Sequence, residues 1–156
     1  MNQPLHLNPD HYLGTPRIWT PERNQQAWEA CYRDLETFLQ RHAGAATLYI
    51  VCGIQGGGKS SWIRDNLHTL AAPAVVLDAA LPGARHRARA VTLAGIYGCR
   101  AEAVWINTPL ETALSWNRLR PADEQVPEEA IHAVSENFEP PTLEEGFADV
   151  HEVRRS

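Results

Sequence analysis

Apolar residues fall along the chain in two alternating rhythms. Unbroken runs at Leu48-Tyr49-Ile50-Val51-Cys52, Ala74-Val75-Val76-Leu77 and Ala103-Val104-Trp105-Ile106 read as strands buried on both faces. Between them apolar residues recur every three or four positions, the spacing of a helix with one face on a core. The first helix opens at Thr20, which can cap it, with Pro21 suited to the first helical position and Ala27, Cys31, Leu35 and Phe38 on one face; Gly44 marks its end. Further helices are predicted after residue 59, over 84–97 and from Thr108 to about Arg118, the last because Thr108-Pro109-Leu110-Glu111 reads as a capping box. Pro82-Gly83 is a turn. Pro127 starts another helix with Ile131, Val134 and Phe138 on one face, and a last strand is expected within 148–153. Residues 1–19 show no periodicity and read as an extended arm on the surface.

Strands alternating with helices predict an α/β fold, a small parallel sheet with helices on both faces. One domain is expected over residues 1–156, with the arm and first helix in 1–45 and the core in 46–156. The polar stretch from Pro121 to Gln125 places a lid near 117–127.

Composition narrows the range of function. A formal net charge of −5 argues against wrapping long nucleic acid through a broad basic surface, although a local basic groove is compatible with it. Cys31, Cys52 and Cys99 are odd in number and widely spaced in apolar settings, which predicts reduced thiols. The histidines form no pair at metal-ligand spacing. Met1 to Pro21 is polar and punctuated by proline, unlike a secretory leader, and no apolar run approaches the ~18 residues of a membrane span. A cytoplasmic protein without a membrane partner is the expectation.

The chain contains a single lysine, Lys59, and it sits in Gly53-Ile54-Gln55-Gly56-Gly57-Gly58-Lys59-Ser60. This is a full match to the phosphate-binding loop G-x-x-x-x-G-K-[ST], set between an apolar strand and a helix as that loop requires. In such a setting the amides of residues 56–60 and the helix N-terminus cradle phosphates, Lys59 reaches the β- and γ-phosphates as a point charge, and the Ser60 hydroxyl ligates Mg²⁺. Residues Gly53 to Ser60, with Ser61 following, are therefore the candidate nucleotide contacts. Asp78 ends the next apolar strand and should emerge beside Lys59, because ligands gather beyond the carboxyl ends of parallel strands. It can hold the metal directly or through water, act as general base for an acceptor hydroxyl, or cap the following turn.

Arg118 and Arg120 fall where a helix gives way to the lid, and there they can meet the charge of a transferring phosphoryl group. Arginines at a helix C-terminus also complement its dipole. Arg85, His86, Arg87 and Arg89 make a second basic cluster without an acidic neighbour in sequence, which a phosphate-bearing substrate or plain solvation would accommodate. Trp62, Trp105 and Trp116 read as core residues more than as stacking platforms.

From Gly53 onward the chain resembles the small P-loop kinases grouped with phage-type polynucleotide 5′-hydroxyl kinases and, more distantly, zeta-toxin-like kinases. The loop Gly53 to Ser60, Asp78-Ala79-Ala80-Leu81-Pro82, Trp105-Ile106-Asn107-Thr108-Pro109-Leu110-Glu111, Asn117-Arg118-Leu119-Arg120, Val126 to Ile131 and the tail Phe138-Glu139-Pro140-Pro141 with Glu144-Glu145-Gly146-Phe147 carry the resemblance. It implies ATP- and Mg²⁺-dependent transfer of a γ-phosphoryl group to a hydroxyl, on a nucleic-acid 5′ end or a small molecule, with Lys59, Ser60, Asp78 and Arg120 at work. A strand and acidic motif usual in that group are missing between the loop helix and Asp78. The first 45 residues lie outside the resemblance, and their helix is expected to cover a sheet edge or shape a distinct acceptor pocket. A GTPase switch is disfavoured because its guanine-reading N-K-x-D motif needs a second lysine. The remaining alternative is a nucleotide-binding module or regulator without turnover.

Overall fold

The computed structural model describes residues 3–155; Met1 and Asn2, assigned above to the arm, and Ser156, assigned to the 46–156 core, lie outside the described residues. Five parallel strands form one sheet: β1 (Leu5–Leu7), β2 (Thr47–Cys52), β3 (Ala74–Asp78), β4 (Arg100–Asn107) and β5 (Asp149–Arg154), in the order β1-β3-β2-β4-β5. Because side chains alternate across a strand, each apolar run feeds two cores. Leu48, Ile50, Cys52, Val75 and Leu77 pack on one face with helices α1 (Pro21–Arg41) and α3 (Ala84–Ile96); Tyr49, Val51, Val76, Val104 and Ile106 pack on the other with Ile63 of α2 (Lys59–Asn66). A third cluster, Ile54, Ala113, Leu114 and Ile131, joins α4 (Leu110–Arg118) and α5 (Glu128–Asn137) beside the loop that follows β2. The α/β expectation, helices on both faces of a small parallel sheet, holds.

Local signals placed most boundaries. Thr20 Oγ1 accepts from Arg23 N, and Pro21 opens α1, which runs to Arg41 before Gly44 takes a positive φ. Three readings are corrected. The arm is not merely superficial: its residues 5–7 pair in parallel with Val75–Leu77, so β1 covers the sheet edge outside β3. Helix α1, expected either to cover an edge or to shape an acceptor pocket, lies on a face and not at an edge, because Cys31, Leu35 and Leu39 on one side of it are fully buried. The capping box at Thr108 does not form; α4 starts after Pro109 without a side-chain cap, and Thr108 Oγ1 donates to Gly57 O at 2.6 Å. A long-range carbonyl took the hydroxyl that the local motif would have used.

The arginine cluster on α3 is also resolved differently. Arg89 pairs with Glu29 and lies 4.1 Å over the Tyr32 ring, both from α1. Arg87 is wholly buried and donates to Glu145, Leu81 O and Glu139 O, tying α3 to the segment before β5. These guanidiniums are already engaged. The cysteines are free thiols, and burial pushes Cys31 up to about 12 and Cys52 up to about 11. Among the described residues no helix is long and apolar enough to cross a membrane.

Candidate active site

The phosphate loop leaves the carboxyl end of β2 and turns into α2 through Gly58, whose φ of +92° marks the left-handed region. Gly56 is also left-handed, and a β-carbon there would lie 2.7 Å from Ala113 O, so only glycine allows the loop this close to α4. Thr108 holds the same loop from β4 through its bond to Gly57. No side chain caps α2, so its leading amides remain for an anion, as a phosphate-binding helix start needs. Lys59 Nζ donates to Gly53 O and Ile54 O, each at 3.0 Å. Burial pulls its ammonium below the ordinary lysine value while the Asp78 charge opposes that shift. The head group is thus held beside the loop in a desolvated setting.

Asp78 ends β3 and is 1 % exposed. Ser60 Oγ donates to its Oδ2 at 3.2 Å, Asn8 Nδ2 donates at 3.1 Å, and His6 Nε2 lies 2.9 Å from the same oxygen. Burial favours the protonated acid, yet the bonds from His6 and Asn8 together with Lys59 hold the carboxyl below its usual value. An anionic Asp78 beside the Ser60 hydroxyl supplies two hard oxygen donors, which fits Mg²⁺. The turn-capping role is not what the structure shows. Two of its partners come from the arm, where Asn8 also accepts from Asp10 N through Oδ1. Sequence reading missed His6 and Asn8; a strand of three residues leaves no periodic signal.

The two lid arginines part company. Arg120 lines the cavity that contains Lys59, Ser60 and Asp78, whereas Arg118 lies on the exposed side of α4, where Nη2 is 2.7 Å from Glu128 Oε1. The structure therefore brings Gly56, Gly57, Gly58, Lys59, Ser60, Ser61, Gln55, Asp78 and Arg120 around one space and leaves Arg118 out of it. Gly53 and Ile54 form the root of the loop through the carbonyls that Lys59 meets. Trp116, expected in the core, lines the cavity, and Arg155 donates to Gly58 O from beyond β5. Away from this site Glu102, Asp149 and His151 converge at the β4–β5 edge, a grouping hidden in the sequence because it spans two strands. The carboxylates pair with the imidazole, at 2.8 and 3.6 Å.

A parallel sheet whose central strand runs into a glycine loop and an uncapped helix, with an acidic residue ending the adjacent strand, decides the fold. The chain has the P-loop NTPase fold. Residues 66–141 match the profile of a family described as an AAA domain, a P-loop NTPase-like family that includes kinases. The match begins beyond the phosphate loop and takes in Asp78, Arg118 and Arg120. Among solved structures the chain is similar to the one described as the crystal structure of AvrRxo1-ORF1:AvrRxo1-ORF2 with sulphate ions, at 16 % identity and a TM-score of 0.48. That similarity covers 80 % of this chain and 58 % of the other. No curated protein matches the chain.

Proposed function

We propose that this P-loop protein is an ATP- and Mg²⁺-dependent phosphotransferase that moves the γ-phosphoryl group to a hydroxyl. The observation that carries the reading is the meeting of Ser60 and Asp78 beside Lys59 in a cavity of about 700 Å³, which Arg120 also lines. A module that only held nucleotide would need the loop alone; this space continues past Asp78 to the arm. The acceptor oxygen attacks the γ-phosphorus, the bond from that phosphorus to the β–γ bridging oxygen breaks, ADP leaves, and the hydroxyl proton passes to a base or solvent. Lys59 and the loop amides orient the phosphates, and Arg120 meets the charge that develops on the departing group. Ser60 and Asp78 would hold Mg²⁺, which supplies positive charge at the phosphate oxygens.

Asp78 has two roles that kinetics separate. If it holds the metal, Asp78→Asn raises the Mg²⁺ concentration needed for half-maximal phosphate transfer; if it is the base, the loss persists at saturating Mg²⁺. Wild-type transfer by the folded variant at every Mg²⁺ concentration would remove Asp78 from the chemistry. For the lid, Arg120→Lys keeps the charge and loses the planar fork, so kcat should fall by about tenfold or more with nucleotide affinity changed much less. Arg118→Lys should be near neutral, since an exposed pair to Glu128 contributes at most about 1 kcal/mol. Equal small effects at both positions would rule out the lid mechanism.

A further inference from the structure

The wall of the cavity away from the loop is built by the arm and α1, which lie outside the stretch that matches the AAA-domain profile, and by the lid, which lies within it. Its charge differs from that of the phosphate end. Asp10, Asp123 and Glu124 line it with two guanidiniums, Arg17 and the lid's Arg120. Arg17 is already engaged by all three: its amide donates to Asp123 Oδ2 at 3.0 Å, and its guanidinium lies 3.6 Å from Glu124 and 4.0 Å from Asp10. Three carboxylates against two guanidiniums leave this end net negative. Two indoles line the cavity as well, the half-buried Trp28 stacked on Tyr32 and Trp19, 61 % exposed. Within the loop itself, Gln55 lines the cavity, and its Oε1 is shielded from solvent and has no donor partner among the described residues. That oxygen is placed to accept from a ligand O–H or N–H.

We infer that this end is the acceptor site and that it takes an uncharged or cationic hydroxylated small molecule with a flat apolar face, the chemistry of a nucleoside, and disfavours a polyanion such as a nucleic-acid 5′ end. The inference rests on the phosphotransfer reading above. A phosphodiester chain entering past Asp10, Asp123 and Glu124 meets like charge, weakened by water because the Asp10 and Glu124 side chains are 49 % and 34 % exposed, whereas a neutral ring avoids that repulsion and gains the indole faces. The arm thus sets the class of acceptor while the loop sets the donor.

A matched series presents one 5′-hydroxyl at rising negative charge: deoxyadenosine, its 3′-monophosphate, and a 5′-hydroxyl oligodeoxyadenylate. Labelled phosphate transfer from Mg·ATP to each gives kcat/KM, and Mg·ATP binding is measured separately by calorimetry on the same full chain. The expected result is a fall of about tenfold or more from the nucleoside to the oligonucleotide, with Asp10→Lys narrowing the gap by about tenfold. Equal or better transfer to the oligonucleotide, an unchanged gap in Asp10→Lys, or transfer to none of the three by a chain that binds Mg·ATP and still releases phosphate from it would overturn the acceptor assignment alone; binding with neither transfer nor phosphate release would overturn the phosphotransfer reading as well. A chain that binds no Mg·ATP overturns the phosphotransfer reading and this inference with it.

Discussion

Lys59→Ala is expected to lower ATP turnover by about a hundredfold or more while the chain still folds, because the ammonium serves phosphate charge and no apolar packing. Among the described residues its ammonium bonds only to Gly53 O and Ile54 O, so the stability cost is on the order of 1–2 kcal/mol, or a few degrees in Tm for a domain of this size. Lys59→Arg should not restore turnover, since a planar guanidinium crowds a loop whose glycines already touch Ala113 and Thr108. Thermal unfolding and phosphate release measured on the same samples check both points. Turnover near the wild-type level in the folded alanine variant would remove the loop from catalysis.

Arg87→Ala is expected to cost about 3–5 kcal/mol of stability, the range for removing one partner of a buried ion pair. The Arg87 side chain is 0 % exposed and that of Glu145 12 %, with Nε 2.8 Å from Oε1. The variant would leave Glu145, Leu81 O and Glu139 O without the donor they share. Although burial raises the Glu145 carboxyl, the bonds from Arg87 and Thr142 hold it below its ordinary value. A depressed carboxylate pKa contributes stability above the unfolded value and loses it as pH falls through the folded one, so this pair weakens on acidification below the ordinary glutamate range. Urea unfolding at neutral pH measures the loss, and the double change Arg87→Met with Glu145→Met should regain much of it, because no charge is then stranded. A loss under about 1 kcal/mol for Arg87→Ala would show that the pair is dispensable.

Strands β2, β3 and β4 were legible because each is an apolar run closed by turn residues, and the loop was legible because its glycines are required by backbone geometry. Elements whose meaning depends on distant partners were not. Leu5-His6-Leu7 carries too few residues for a period, and it becomes a strand only when β3, some seventy residues on, offers a free edge. Arg87 and Arg89 looked unpaired because Glu145 and Glu29 are far away in sequence. Thr108 satisfied a local motif, yet the Gly57 carbonyl competed for its hydroxyl and won. At the site, Lys59, Ser60 and Asp78 follow from spacing, whereas His6, Asn8 and the cavity wall beyond them follow only from topology.

The edge position of β1 makes one half of the site separable from the other. Three ladder residues on the rim of a sheet can open at a free energy well below that of the whole domain. Each such opening strips His6 and Asn8 from Asp78 and removes the Asn8–Asp10 wall, while β2, β3 and the loop stay paired. Amide protons of residues 5–7 should therefore exchange sooner than those of Val75–Leu77. Any molecule bridging the loop and the arm would slow that exchange in proportion to its occupancy, which turns the rim strand into a built-in reporter of the ternary complex.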